Sequence, residues 1–145
     1  MPLQPSGRVV RDRGGLEVIV ERRLPVASPE VWRWLTAPSR TKRWTTATLV
    51  ELEPGERAEA VGDGWGAILS LAPDDHGCIL YAKERVASSR DAAGAGPRWE
   101  HALDRLVAAM TGADAPPSLE RYAATQRPYY ERLAMDGDPV PWPPS

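Results

Sequence analysis

The segment GPRWEHALDRLVAAMTG, residues 96–112, carries the clearest helical pattern in the chain. Its apolar residues recur at i, i+4, i+7, i+8 and i+11, and they are Trp99, Leu103, Leu106, Val107 and Met110. A helix with one apolar face has to bury that face against another layer of secondary structure. The segment therefore predicts a long amphipathic helix that needs a partner, and Gly112 is placed to end it.

Alternating apolar and polar residues predict that this partner is a sheet. Four or five strands precede the helix, namely GLEVIVERRL, TLVELE, a weak ERAEAV, WGAILSLA and CILYAKERV. Turn sequences such as Pro54-Gly55, Gly62-Asp63-Gly64 and PDDHG separate the later strands, which favours antiparallel hairpins. The pattern predicts an α+β fold in which the long helix lies on the sheet.

Two shorter helical regions flank this core. Ser28 before Pro29 predicts a capped helix start, and Pro38 ends that helix before a second short one that finishes at Trp44. After the long helix, APPSLERYAATQRPYYERLA predicts a helix in two pieces, broken near Pro128. We expect a flexible arm over residues 1–14, one domain over 15–135 and a proline-rich tail over 136–145.

Composition excludes several classes of function. The net charge is −2, with acidic and basic residues interspersed, so no basic surface for nucleic acid is expected. No apolar stretch approaches the roughly 20 residues of a membrane span, and the start lacks the apolar core of a signal peptide. Cys78 is the only cysteine and no metal-ligand spacing occurs, so we expect no disulfide, metal or cofactor. We predict a cytoplasmic monomer or homodimer.

Three segments together resemble a known superfamily. VERRLPVASPEVWRWLTAPSRTKRW runs from a strand into a proline-marked helix, LSLAPDDHGCILYAKERV matches a last hairpin, and GPRWEHALDRLVAAMTG matches a C-terminal helix. The later LERYAATQRPYYERL is similar to a tyrosine-containing tail. Over Leu16 to Leu133, the chain resembles the START-like (SRPBCC) superfamily, in the branch related to the activator of a heat-shock chaperone ATPase, which has polyketide cyclase-like relatives.

The resemblance implies a helix-grip fold, in which a curved antiparallel sheet wraps around the long C-terminal helix and leaves an apolar cavity. Members bind hydrophobic small molecules, cyclise or dehydrate polyketide-like substrates, sequester toxic metabolites or assist chaperones. The four or five predicted strands leave the sheet short by about one hairpin compared with the family. A narrower sheet would leave the cavity more open and an edge for a second copy or the C-terminal segment to cover.

Few side chains suit catalysis. His76 falls in a turn and His101 points about 200° away from Trp99 on the helix, so we expect neither to be catalytic. Glu84 shares a strand face with Leu80 and Ala82, where a carboxylate in apolar surroundings is suited to proton transfer. The alternative is that Glu84 reaches water at the rim of the sheet. Arg22, on the inward register of the first strand, is the candidate partner of Glu84.

The aromatic residues indicate a ligand more strongly. The chain has six tryptophans and no phenylalanine, and four of the tryptophans come from segments that the fold brings around one space. Such rings stack on flat ligands, although they fill a core equally well. The predicted ligand-binding residues are Trp34, Trp44, Trp65, Leu69, Leu80, Trp99, Leu103, Leu106 and Met110.

Three functions remain open from the sequence. The first is a cyclase or dehydratase of bacterial secondary metabolism that holds a hydrophobic, aromatic or polyketide-like small molecule. The second is a non-catalytic carrier or self-resistance protein that sequesters such a molecule. The third is an accessory protein of a chaperone, which would use a surface and not a pocket.

Overall fold

The computed structural model describes residues 4–136. Those residues form six strands and four helices. The strands are β1 (Arg8–Asp12), β2 (Gly15–Leu24), β3 (Thr48–Glu53), β4 (Arg57–Gly62), β5 (Trp65–Asp74) and β6 (Gly77–Val86). The helices are α1 (Ser28–Thr36), α2 (Pro38–Thr41), α3 (Ser89–Thr111) and α4 (Leu119–Asp136). The proline-rich tail predicted from the sequence lies outside the described residues, apart from Asp136 at the end of α4.

All six strands belong to one sheet, in the order β1-β2-β6-β5-β4-β3. The pairs β1–β2, β3–β4 and β4–β5 are antiparallel, as the short turns between them require. The predicted α+β class with a sheet followed by a long helix is confirmed. The predicted count of four or five strands was too low for the part of the chain that the structure describes.

The additional strand, β1, lies in the segment that the sequence assigned to a flexible arm, and that assignment was wrong over Arg8–Asp12. Val9 pairs with Val18 in the register of the hairpin, and its side chain is buried. The turn into β2 ends at Gly15, whose φ of 123° is accessible to glycine. The strand was not visible in the sequence because two valines among arginines give too little alternation.

The chain divides into two compact units. Within the described residues, the first unit comprises 4–20, 83–101 and 117–136, and the second comprises 21–82 and 102–116. Strands β2 and β6 and helix α3 contribute residues to both units.

Helix α4 packs against β1 in the first unit. It continues through Pro128, so the predicted break there was wrong. A proline inside a helix costs about 3 kcal/mol, which tertiary contacts have to offset. The hydroxyl of Tyr129 donates a hydrogen bond to the carbonyl of Gly7 at 2.8 Å, and the Tyr130 side chain is fully buried. These contacts hold the part of α4 that follows the proline.

Helix α3 also begins earlier than its apolar spacing predicted. The sequence reads as a glycine-rich break over residues 92–96, yet the helix starts at Ser89, where the Asp91 amide donates to the Ser88 hydroxyl. The small residues permit close packing, because a Cβ atom on Gly96 would overlap the ring of Tyr130. The glycine that looked like a break is therefore the contact point for α4. The helix ends at Thr111, and Gly112 follows with a φ of 77°, as predicted.

In the second unit, α1 lies against β3 and β5. Val31, Trp34 and Leu35 form its buried face, as their spacing predicted. The predicted Ser28 cap was wrong: Ala27 holds the cap position, and the first turn makes no side-chain cap bond. Pro29 inside that turn and Glu30 near the positive end of the helix dipole still favour a helix at this point.

Candidate functional site

Trp34 and Trp44 in the second unit are joined by a hydrogen bond that fixes the turn from α1 into α2. The Trp44 indole N–H donates to the backbone carbonyl of Trp34 at 2.9 Å. The hydroxyl of Thr41 lies within hydrogen-bond distance of the Leu35 and Ala37 carbonyls, at 3.0 and 3.1 Å. Because the last carbonyls of a helix have no partner within it, these contacts close the end of α1. The polar atom of Trp44 is thus used within the fold.

Two arginines lie over the Trp34 ring. The guanidinium carbons of Arg40 and Arg43 are 5.2 and 5.0 Å from the ring centroid, which is within the range of a cation–π contact. Arg40 also pairs with Glu30 at 3.2 Å. Trp34 therefore lies between the buried face of α1 and two arginine side chains.

The residues predicted to bind a ligand divide into two groups by exposure. Seven are buried: Trp34, Trp44, Leu69, Leu80, Trp99, Leu103 and Leu106. Trp65 and Met110 are half-buried. Trp65 faces Gly62 in the register of the β4–β5 hairpin, and a Cβ atom on Gly62 would overlap its indole. All of these residues except Trp99 belong to the second unit.

The buried face of β4 and β5 is made largely of alanine. Ala60 lies opposite Ala67 and Ala58 lies opposite Leu69 in the antiparallel register, and all four side chains are buried. On β6, the buried positions in this unit are Cys78, Leu80 and Ala82. Side chains this small let the covering layer approach the sheet closely, and Ala58, Ala60 and Leu69 have no exposed surface.

Glu84 is buried, with 4% of its surface exposed, as one of the two sequence interpretations required. Its Oε1 accepts hydrogen bonds from Arg98 Nη1 at 2.9 Å and from the Trp99 indole at 2.8 Å. Its Oε2 accepts a third from Arg98 Nη2 at 3.2 Å. The carboxylate thus ties the end of β6 to α3 through a bidentate ion pair. Trp99 takes part through its N–H group, a role that the sequence pattern did not reveal.

Arg22, the predicted partner of Glu84, lies in the second unit. Its Nε donates to Asp104 Oδ1 on α3 at 2.8 Å. Within the first unit, Glu84 is held by Arg98. A direct pairing of Arg22 with Glu84 stays a prediction.

A second buried carboxylate, Glu100, was not predicted. Its Oε2 accepts from the amide of Ser6 at 2.6 Å, from the amide of Gly7 at 3.1 Å and from the hydroxyl of Tyr130 at 2.5 Å. Its Oε1 accepts from the hydroxyl of Ser6 at 2.9 Å. Glu100 follows Gly96 by four residues and precedes Leu103 by three, so helical spacing places it on the buried face. That spacing was the available signal, but the partners are up to 94 residues away in the chain.

Tyr130→Phe should flatten the loss of stability at alkaline pH. Burial raises the pKa of the Tyr130 phenol above its ordinary value of 10.0, and the Glu100 charge raises it further. Above pH 10 the unfolded chain loses a proton that the folded chain keeps, so stability falls as pH rises, by about 1.4 kcal/mol per pH unit. Urea unfolding of both proteins from pH 7 to 11 measures the two slopes. Burial also raises the pKa of Cys78 and of Tyr129, which contribute in both proteins. Equal slopes would contradict the assignment to Tyr130.

The other candidate groups for chemistry do not converge. Cys78 is buried, and burial raises the pKa of its thiol, which disfavours the nucleophilic thiolate. His76 is exposed, and the His101 ring packs edge-on against Tyr122 at 5.0 Å. Within residues 4–136, no cluster of three or more acidic, histidine or cysteine side chains has the geometry of a metal site.

These elements define an α+β protein whose six-stranded sheet and long helix are consistent with a helix-grip fold. The crystal structure of CalU16 from Micromonospora echinospora matches with a TM-score of 0.70 and 20% identity, covering 90% of this chain and 97% of CalU16. The solution structure of CalU16 matches with a TM-score of 0.71 and 18% identity, covering 95% of this chain and 100% of CalU16. EF2215 from Enterococcus faecalis, a conserved protein of unknown function, matches with a TM-score of 0.70 and 13% identity. The match covers 88% of this chain and 92% of EF2215.

Comparison by sequence adds no assignment. No protein-family model matches this chain, and no curated protein matches it. Identities of 20% and below establish the fold, and a fold by itself does not define a function. Within residues 4–136, no helix combines the length and the hydropathy needed to cross a bilayer.

Proposed function

We propose that this protein binds a hydrophobic small molecule, aromatic or polyketide-like, in the interior of its second unit. The observation that carries the proposal is the alanine face of β4 and β5, formed by Ala58, Ala60 and Ala67. A flat ring system can lie against a surface of small side chains, because no branched group projects from it. Ala58 and Ala60 have no exposed surface in this structure, so binding requires the layer that covers them to move aside. The large buried residues of the same unit, Trp44 and Leu106 among them, supply apolar walls.

Binding without catalysis is the form of the proposal that the side chains support best. The acid/base candidate for a cyclase or dehydratase is Glu84, and Arg98 and Trp99 engage both of its carboxylate oxygens. A general base needs a free oxygen within hydrogen-bond reach of the proton that it removes. Carrier and self-resistance functions have no such requirement. Cyclisation or dehydration through Glu84 is the alternative, and it requires Arg98 to release the carboxylate.

The variant Ala60→Leu tests the proposal, since it adds volume at the centre of the alanine face. We expect the wild-type protein to bind an anthraquinone probe with quenching of tryptophan fluorescence. Ala60→Leu should weaken that binding by at least about tenfold while leaving the thermal midpoint unchanged or higher. Native mass spectrometry of protein from its own host should show a retained apolar ligand. The matched control is Val61→Leu on the opposite strand face, where the side chain is 43% exposed.

The two readouts separate a ligand space from a filled core. If side chains already fill the space, Ala60→Leu overpacks it and costs about 1–3 kcal/mol of stability. A large drop in the thermal midpoint, together with no retained ligand and no anthraquinone binding by the wild type, would overturn the proposal. A separate assay of Glu84→Gln with a cyclisation substrate tests the catalytic alternative, which unchanged turnover would eliminate.

A further inference from the structure

A cleft of about 340 Å³ lies at the end of α3, on the surface of the second unit. Its walls come from the last turns of the helix, the segment after it and the residues before β3. The lining residues are Arg43, Arg105, Ala108, Ala109, Gly112, Ala113, Ala115 and Pro116. None of them is among the residues that the sequence predicted to bind a ligand. The volume falls in the lower part of the range for small-molecule sites, roughly 300–1,000 Å³.

The two arginines are the only charged groups among those lining residues. Nη2 of Arg105 donates to the carbonyl of Arg43 at 3.0 Å, which holds the two residues together. The Arg43 guanidinium lies over the Trp34 ring and is steadied by it. Within residues 4–136, neither guanidinium takes part in an ion pair. By contrast, Arg22 and Arg40 of the same unit are each paired with a carboxylate.

The charge at this cleft favours an anion. The last carbonyls of α3 carry a partial negative charge, about half an elementary charge at a helix C-terminus. Two guanidinium groups outweigh it with two full positive charges. One carbonyl of this last turn, that of Ala108, already accepts from the Gly112 amide at 2.9 Å. The nearby carboxylate of Asp104 is paired with Arg22. Asp114 lies on the same segment and is exposed, but it does not line the cleft.

The remaining walls limit the size of the occupant. The alanine and proline side chains are short, and with the backbone at Gly112 they leave a shallow floor beside the arginines. A guanidinium fork matches the planar oxygens of a carboxylate or phosphate and binds them with two parallel hydrogen bonds. We propose that this cleft binds a small oxyanion, a carboxylate or phosphate group attached to a compact apolar body. This site is separate from the interior space of the proposed function, because none of its lining residues belongs to that space.

The test is a titration of the full chain, in which binding is measured by changes in amide chemical shifts and by isothermal titration calorimetry. The probes are benzoate, phenyl phosphate, inorganic phosphate and the neutral isostere benzamide. We expect benzoate or phenyl phosphate to shift the amides of residues 108–115 and benzamide to leave them unchanged. Whichever of benzoate and phenyl phosphate binds more tightly shows which oxyanion is preferred. If inorganic phosphate binds as tightly as phenyl phosphate, the apolar body is not needed and that part of the proposal is wrong. Binding should weaken as sodium chloride is added.

Two variants and a control complete the experiment. Arg105→Gln should weaken benzoate or phenyl phosphate binding at least tenfold, and Arg105→Lys should be intermediate because it keeps the charge and loses the fork. Ala109→Leu fills the cleft while keeping both arginines and their charges, and it should also abolish binding. Arg127→Gln, an exposed arginine on α4, should bind as the wild type does. Equal binding of benzamide, undiminished binding by Arg105→Gln, or no shift with any anion would overturn the proposal.

Discussion

Gly96→Ala should destabilise the protein, whereas Gly94→Ala, two residues earlier in the same helix, should stabilise it. A Cβ atom on Gly96 would lie 2.5 Å from Cδ1 of the Tyr130 ring, which is itself fully buried. At Gly94, nothing lies within 4 Å of an added Cβ atom. Alanine is favoured over glycine in a helix by about 1 kcal/mol, and overpacking a core costs about 1–3 kcal/mol. The two variants should therefore change stability in opposite directions.

Urea unfolding followed by tryptophan fluorescence measures both changes in one protein background. For a chain of this size, 1 kcal/mol corresponds to about 3 °C in the thermal midpoint. A second substitution identifies the cause: in Tyr130→Leu, the ring is absent and Gly96→Ala should cost much less. Stabilisation by Gly96→Ala in the wild-type background would contradict the close packing of α3 against α4.

Arg98→Met should have the other large effect, because it leaves the Glu84 carboxylate buried without its guanidinium. Removing one partner of a buried ion pair costs about 3–5 kcal/mol. Arg98 is 27% exposed on its side chain and Glu84 only 5%, so we expect the lower end of that range. The Trp99 indole N–H still donates to Glu84 and reduces the loss further.

The double variant Glu84→Leu/Arg98→Met shows whether charge burial is the cause. Replacing a whole buried ion pair with apolar residues is often neutral or stabilising, so much of the stability should return. Arg85→Met provides a matched control, because Arg85 directly follows Glu84 in β6 and pairs with Asp12 at the surface. Loss of that exposed pair should lower the free energy of unfolding far less. If Arg98→Met and Arg85→Met unfold at the same urea concentration, the Glu84 pair does not hold β6 to α3 as described.

The parts of the fold that follow a local period could be predicted. The alternation in WGAILSLA predicted most of β5, which continues to Asp74, and the spacing of Val31, Trp34 and Leu35 predicted the buried face of α1. Strand β1 and the first turns of α3 could not be predicted in this way. The structure of Arg8–Asp12 and of residues 92–96 depends on the distant segments that pack against them. The contact between Gly96 and Tyr130 joins positions 34 residues apart, and no local pattern encodes it.

The candidate site shows the same division. Burial of Leu69, Leu80 and Leu103 followed from alternation and helical spacing. The partners of Glu84 did not, because a strand pattern says which face a carboxylate occupies and not which donors meet it. Arg43 and Arg105 lie 62 positions apart, so only the folded chain brings them to one cleft. Pairwise polar contacts between distant segments are the information that a single sequence lacks.

The hydrogen bonds of the Trp44 and Trp99 indoles have a practical consequence for spectroscopy. The indole N–H of Trp44 donates within the second unit and that of Trp99 within the first, and both residues are 1% exposed. Each indole proton should exchange with solvent only when its own unit opens, and the two resonances fall in a sparsely populated region of an amide spectrum. Hydrogen–deuterium exchange at these two protons therefore reports, in one sample, whether the two units open together or separately.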